Sequence, residues 1–456
     1  MQNQTKKMTE GSPAALILTF ALPLMLGNVF QQLYTVVDTI VVGQFLGVEA
    51  LAAIGSIDWL TWMMLGLIQG LTQGCGVVLS QYFGAEDYRG LKRNVVNAAF
   101  LSLLFAGLLT AVGFVIAKPM LMLLRTPEQI FDLALAYLLV VFGGIPVIVA
   151  YNFFACVLRA VGNSKAPLRA MVISCLVNIA LDILFVVVFH MGIRGAAIAT
   201  VIAQAVSAVY CLVKIIRIPV VRPEVLKHEL QLELCIKQLA IGMPMAMQNL
   251  LIAVGGMILQ YVVNGFGVAL LAGYTATNKL YGILEIAATS YGFAMSVYAG
   301  QNMGAKQLGR IRKGTRSAIF IGVATAVVIM LAMLFGGQMF LGMFISKDAD
   351  NAALSLYYAF LYLKIMAAFL PILYILHIVR SCIQGMGNSV LPMLSGIAEF
   401  VMRTGGVLVL PGLIGEASVF YAEVLAWCGA DVVLVSSYIY MIRRVKRLFG
   451  EASGED

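Results

Sequence analysis

Apolar residues along this chain gather into twelve long runs separated by short polar breaks. They lie at roughly 13 to 41, 51 to 83, 94 to 117, 133 to 155, 167 to 189, 195 to 215, 238 to 263, 269 to 300, 315 to 337, 352 to 378, 391 to 411 and 417 to 442. Each is about as long as the roughly 20 residues a helix needs to cross the hydrocarbon core of a bilayer. The pattern predicts an all-α integral membrane protein of twelve transmembrane helices. The first run contains Pro23 and continues past the length of a secretory signal, so it reads as the first span.

The polar breaks alternate in charge. With the amino terminus in the cytoplasm, 23 of the 30 Lys and Arg residues fall inside, in the stretches around Lys6, Arg89, Arg159, Lys214 to Lys237, Lys306 to Arg316, Arg380 and Arg443 to Arg447. Only Lys118, Arg125, Arg194 and Lys347 fall outside, and Lys279, Lys364 and Arg403 lie within spans. Short loops rich in Lys and Arg resist translocation, so this bias predicts both termini in the cytoplasm of a cell inner membrane. The longest inside loop, 216–237, carries charges of both signs near the midpoint of the chain. The expected organisation is a six-helix half over 1–215, a cytoplasmic linker over 216–237 and a second six-helix half over 238–456.

The halves repeat each other. Ser80 to Arg93 matches Ala299 to Lys313, pairing Gln81 with Gln301 and Gly84 with Gly304; Ala21 to Met25 matches Gly242 to Ala246, pairing Pro23 with Pro244. RAVGNSKAP ending at Pro167 matches QGMGNSVLP ending at Pro392, and GIRGAA at Gly192 matches GLIGEA at Gly412. Because six is even, both halves enter from the same side. Two parallel bundles facing each other around a central cavity are a transporter architecture.

Composition agrees: 61% of the 456 residues are hydrophobic and 11% charged, with a mean hydropathy of +0.94. Soluble domains average about 45–50% apolar and about 25% charged, so a soluble enzyme and a disordered chain are excluded. The net charge of +8 records orientation and not a nucleic-acid partner. The seven cysteines are scattered without a C-x-x-C pair and read as small hydrophobes. The chain has no H-E-x-x-H, G-x-S-x-G or G-x-x-x-x-G-K-[ST] motif, so neither an enzyme nor ATP-driven transport is expected, and no cofactor.

Acids in hydrocarbon are costly and are functional candidates by default. Asp38 lies in the first span and Asp182 in the fifth, with Asn178 one turn before Asp182 on the same helix face. Thr200 follows in the sixth. Together they offer two carboxylates, an amide oxygen and a hydroxyl, hard ligands suited to a small cation such as Na+ and equally able to hold a proton. Two close carboxylates in low dielectric do not both ionise readily. Glu399 and Arg403, spaced i, i+4 in the eleventh span, read as a structural ion pair. Glu285 in the eighth span is a candidate for the central cavity, with Tyr34, Tyr261 and Tyr281 as aromatic walls for a cation, although aromatics at helical spacing also serve packing. Asp58, Glu423 and Asp431 read as interfacial or paired, and His190 and His377 as satisfied polar groups. Pro23 and Pro244 are expected to kink the first and seventh spans and to act in gating.

The opening FALPLMLGNVFQQLYTVVDTIVVGQFLGVEALAAIG, the loop QYFGAEDYRGLKR, the segment RAVGNSKAPLRAMVISCLVNIALDILFV and the second-half GQNMGAKQLGRIRKG resemble the multidrug and toxic compound extrusion (MATE) transporters, from about Gly11 to about Arg447. The resemblance implies an antiporter, acting as a monomer, that expels organic cations or other amphipathic small molecules against an inward flow of protons or sodium. Asp38, Asn178, Asp182 and Thr200 match the branches that couple in the first half, and Gln31 matches a polar cavity position. The seventh and tenth spans carry no acid for the alternative coupling site. A related architecture serves flippases of lipid-linked precursors or polysaccharides. That reading asks for several basic residues in the cavity, and only Lys279, Lys364 and Arg403 lie within spans.

Overall fold

A computed structural model describes residues 5–124, 126–222, 230–342 and 351–450. Arg125, Lys227, Lys347 and part of the expected linker, 223–229, lie outside the described residues. Among the described residues every regular element is helical: α1 (Pro13–Leu46), α2 (Val48–Gly84), α3 (Tyr88–Leu123), α4 (Glu128–Gly143), α5 (Ile145–Ala160), α6 (Lys165–Asp182), α7 (Gly192–Ile216), α8 (Leu232–Asn264), α9 (Val268–Gly304), α10 (Leu308–Leu341), α11 (Ala352–Ala368), α12 (Leu370–Gly385), α13 (Val390–Ile414) and α14 (Tyr421–Leu448). A π-helical stretch, Ile183–Val188, prolongs α6, and a 3-10 turn, Glu416–Phe420, leads into α14.

Ten of these stretches are long and apolar enough to cross a membrane on their own. The pairs α4–α5 and α11–α12 bend by 47° and 49° at their junctions, and counting each pair as one span gives twelve. The chain is therefore an all-α, multi-pass membrane protein. Each bend has a proline in the first turn of the outgoing helix, Pro146 and Pro371. At that position the missing amide breaks no helical bond, while the ring clashes with any continuation of the preceding helix. The two prolines stand 225 residues apart, the spacing of the two GNS loops. By contrast α1 and α8 run on past Pro23 and Pro244.

The GNS loops are built alike. Gly162 and Gly387 take φ of 82° and 88°, a left-handed conformation that glycine adopts without a Cβ penalty. Asn163 Oδ1 then accepts from the Ala166 amide at 3.0 Å and Asn388 Oδ1 from the Leu391 amide at 3.1 Å, capping α6 and α13. A Cβ on Gly162 would overlap the carbonyl oxygen of Lys6. Asn163→Ala should cost about 1 kcal/mol of thermal stability. Gly162→Ala should cost more, because the left-handed backbone alone adds about 1–2 kcal/mol. Thermal unfolding of the detergent-solubilised protein checks both, and equal effects would contradict the overlap.

The helices form two compact units. The first comprises Met1–Lys7 and Leu22–Met243, the second Met8–Ala21 and Pro244–Asp456. The chain thus changes unit within α1, at Leu22, one residue before Pro23, and within α8, at Pro244.

In the first unit one core gathers Val42, Ile57, Ile68, Leu138, Phe142 and Ile145, and another Leu79, Phe83, Leu91, Val157, Leu158 and Cys211. Gln238, in the first turns of α8, donates to the backbone and side-chain oxygens of Asn94 at 3.0 and 3.1 Å. The Lys6 amide donates to Val161 O at 3.0 Å, and Lys7 pairs with Glu86 at 2.6 Å.

In the second unit α9 packs against α10, α11 and α12, and α13 against α14. The amino-terminal segment is gripped by side chains: the Met8 amide donates to Gln301 Oε1 at 2.7 Å, Asn302 and Arg310 donate to Met8 O at 3.1 and 3.2 Å, and Arg310 donates to Gly11 O at 3.0 Å.

Candidate cation site

The first unit holds Asp38 on α1, Asn178 and Asp182 on α6, and Thr200 on α7. Asp38, Asn178 and Asp182 are 8%, 1% and 0% exposed. One hydrogen bond ties two of the helices: Asn178 Nδ2 donates to Thr200 Oγ1 at 3.4 Å. That orientation leaves the Asn178 Oδ1 oxygen free, and it has no hydrogen-bond partner; nor have Asp38 Oδ1 or either oxygen of Asp182. Asp38 stands near enough for its charge to act on Asp182.

Tyr137 on α4 lies within electrostatic reach of both acids and of Asp58. Tyr34 sits beside Gln31 on its own helix and Gln204 on α7, and Gln204 Oε1 is also buried without a partner.

Local sequence explains the placement. Asp182 ends the regular part of α6. After it ILFVVV, rich in β-branched residues that crowd a regular helix, winds as a π-helix in which the Phe189 amide reaches back five residues to Leu184 O at 2.9 Å. Such widened turns frequently accompany functional positions. The result is a group of oxygen atoms, several carrying or sharing negative charge, withdrawn from water without donors. An unpaired buried carboxylate is too costly to persist, so each of these acids calls for a proton or a cation as its partner. Sequence reading overlooked Gln204, although a glutamine one turn after Thr200 in an apolar span was a usable signal. Tyr137 offered none, because an aromatic residue inside a span packs by default.

The other predicted residues lie in the second unit. Tyr281 on α9 stacks on Trp427 of α14 with ring centroids 6.0 Å apart. Glu285 faces His377 of α12. Tyr261 on α8 is 81% exposed and makes none of these contacts. Glu399 and Arg403 belong to a larger buried network. Arg403 contacts Glu399 at 3.0 Å and Glu423 at 2.8 Å, and Arg380 contacts Glu399 at 2.7 Å. Sequence reading put Arg380 in a cytoplasmic loop; because α12 continues to Gly385, its side chain is instead buried inside the unit. At the 225-residue offset of the GNS loops, Arg403 occupies the position of Asn178. Where the first unit has unpartnered oxygens, the second has a fixed guanidinium between two carboxylates.

A probable multidrug resistance protein of Bacillus subtilis, YpnP, is 29% identical over 450 residues, 97% of this chain and 98% of its own. The fold is that of a multidrug resistance MATE family transporter solved in an outward-facing conformation, with a TM-score of 0.89 at 21% identity, covering 96% of this chain and 98% of that one. A MOP superfamily transporter from Pyrococcus furiosus superposes with a TM-score of 0.90 at 21% identity and the same coverage. The family model MatE matches residues 23–184 and again residues 244–405, one copy in each half. The duplication read from the loop motifs is thus the duplication of the family itself, and the chain belongs to the MatE family.

Proposed function

We propose that the protein is a cation-coupled multidrug antiporter that exports organic cations and amphipathic compounds by alternating access, and that Asp38, Asn178, Asp182 and Thr200 bind the coupling ion, H+ or Na+. The observation that carries this reading is the set of buried, unpartnered oxygens on Asp38, Asn178 and Asp182. A proton would neutralise one of the two acids. A sodium ion would be held by Asp38, Asp182, the Asn178 amide oxygen and the Thr200 hydroxyl, all oxygen donors of the kind such ions prefer. The names of the relatives support export of drugs: YpnP is called a multidrug resistance protein, and a protein of Staphylococcus saprophyticus that is 21% identical over 437 residues is called the multidrug export protein MepA.

The second half supports placing the coupling in the first. Arg403 already supplies Glu399 and Glu423 with a positive charge, so at the position that corresponds to Asn178 those two acids need no ion from solution. Gln31, Tyr34, Tyr261, Tyr281 and Glu285 are assigned to substrate contact. Pro23 and Pro244 are assigned to gating, since the chain changes unit next to each. The basic loops favour an inner membrane with both termini in the cytoplasm. A flippase of pyrophosphate-linked lipids is not favoured, because Arg403 is spent on two acids and Lys364 lies over the ring of Phe360 at 4.5 Å.

Uptake of a fluorescent cationic dye into inverted vesicles, driven by a proton gradient or a sodium gradient imposed separately, tests the proposal. Accumulation under at least one gradient is expected, and it should disappear in Asp38→Asn. Dye movement indifferent to both gradients would overturn it.

A further inference from the structure

One face of α10 stays exposed along the helix. Lys313, Arg316, Phe320, Ala324 and Val328 recur on it at spacings of three and four, and Phe320 and Val328 are 76% and 67% exposed. Arg316 is the last charged residue of α10, and Ser317 to Leu341 carry none. That stretch measures about 37 Å at 1.5 Å per residue, more than the roughly 30 Å of a hydrocarbon core. Arg316 therefore stands where hydrocarbon meets headgroups, with Arg312 and Lys313 about one turn further out.

Beyond Arg316 the face opens into a groove lined by Phe320, Ile321, Ala324, Thr325, Val328 and Ile329. The short side chain of Ala324, between Phe320 and Val328, makes room for it. The Thr325 hydroxyl is engaged by Tyr291 of α9 at 3.0 Å and by Ile321 O at 2.9 Å, so the lining is apolar in effect. From Phe320 to Ile329 the groove runs for about 14 Å, close to the roughly 15 Å that the acyl chains of one leaflet fill.

The charge at the mouth of this groove is uncompensated. Arg312, Lys313 and Arg316 are exposed and form no ion pair among the described residues. α10 holds no acid, and α14 holds none beyond Asp431. Arg310, by contrast, is taken up by Met8 O, Gly11 O and Asn302.

The repeat shows that this combination is not a property of both halves. At the 220-residue offset that pairs Gln81 with Gln301, Glu86 and Asp87 correspond to Lys306 and Gln307, Val96 to Arg316 and Leu104 to Ala324. The counterpart face on α3 thus has two acids beside its basic residues, and a leucine that is 61% exposed where α10 has the gap. Of the two faces, α10 alone joins unopposed charge to a groove.

We propose that this face binds a membrane phospholipid with an anionic headgroup, its phosphate held by Arg316 and Lys313 and one acyl chain laid in the groove over Ala324. Basic side chains at the membrane surface attract anionic lipids, and a guanidinium matches the geometry of phosphate oxygens. A zwitterionic lipid offers the same phosphate but brings a cation of its own, which Arg312 beside the site repels. The binding is independent of what the protein transports.

Native mass spectrometry of the purified full-length protein, titrated in detergent with palmitoyl-oleoyl phosphatidylglycerol or with the phosphatidylcholine of the same chains, tests it. The wild type should bind the anionic lipid at least roughly tenfold more tightly, since each basic residue near the surface contributes about fivefold. Lys313→Gln combined with Arg316→Gln should abolish the preference. Ala324→Leu, which installs the residue found in the first unit, should weaken phosphatidylglycerol binding with every charge intact. Arg443→Gln combined with Arg444→Gln, which removes two exposed charges from the end of α14, should leave binding unchanged. All these positions are exposed, and the thermal unfolding midpoint in lipid-free detergent checks that each variant is folded. A preference that survives the Lys313 and Arg316 changes, an equal loss from the α14 changes, or unchanged binding in Ala324→Leu would overturn the proposal. So would a two-chain species that Ala324→Leu disperses, which would assign the face to a second copy of the protein.

Discussion

Asparagine in place of Asp182 should reduce gradient-driven dye transport on the order of 100-fold, the upper part of the usual range for a coupling free energy between two ligands, while leaving the protein folded. The reason is local. Neither oxygen of Asp182 accepts a hydrogen bond in the structure, so the isosteric amide removes charge without breaking a contact, and stability should hold or rise slightly. Transport per reconstituted molecule, read beside the thermal unfolding midpoint, separates the two effects. An Asp182→Asn protein that is well folded and still fully coupled would remove Asp182 from the ion path. Asn178→Ala should be milder under a proton gradient than under a sodium gradient, because its amide oxygen could coordinate a metal ion but is not needed to carry a proton.

The largest structural effect is expected at Arg403. Its guanidinium contacts Glu399 and Glu423 at 3.0 and 2.8 Å in surroundings where arginine and Glu399 are almost wholly buried. Arg403→Ala leaves Glu423 without its partner and Glu399 with Arg380 alone, a loss of about 3–5 kcal/mol by analogy with other broken buried pairs. Poor recovery of monodisperse protein and a sharply lower unfolding midpoint are the expected readouts. Removing the two charges together should be far milder. The double variant Arg403→Met with Glu423→Gln keeps Glu399 paired to Arg380 and strands no charge, so it should regain most of the lost stability. If the double variant is as unstable as the single one, packing of the arginine stem and not its charge is what matters.

The two sites differ in how far the amino-acid sequence alone discloses them. The spans and the duplication were legible because length and apolarity decide a membrane crossing, and because a loop such as GNS is fixed by its own backbone needs: a left-handed glycine followed by an asparagine cap. Asp38, Asn178, Asp182 and Thr200 stood out because polar atoms in hydrocarbon need a reason to be there. Relations between helices were not legible. Glu285 and His377 sit on different helices with no shared spacing, and each alone resembles an isolated polar residue. Arg380 looked like a loop residue because it follows the apolar run of the tenth span, whereas the helix continues for another five residues. The bends at Pro146 and Pro371 were readable in principle, being 225 residues apart like the loops that follow them, yet a proline inside an apolar run does not announce whether the helix is interrupted, as at these two, or stays in one piece, as past Pro23 and Pro244.

The exchange of segments between the units has a consequence for how the protein is made. Met8 is held by Gln301, 293 residues further along the chain, and by Asn302 and Arg310 beyond it. During synthesis the leading turns of α1 enter the membrane long before these side chains exist, and the early turns of α8, which complete the first unit through Gln238 and Asn94, arrive only after the spans they join. A six-span half produced alone would lack the piece supplied by the other. The stretch around Met8 thus reaches its final partners only after α9 and the start of α10 have been made.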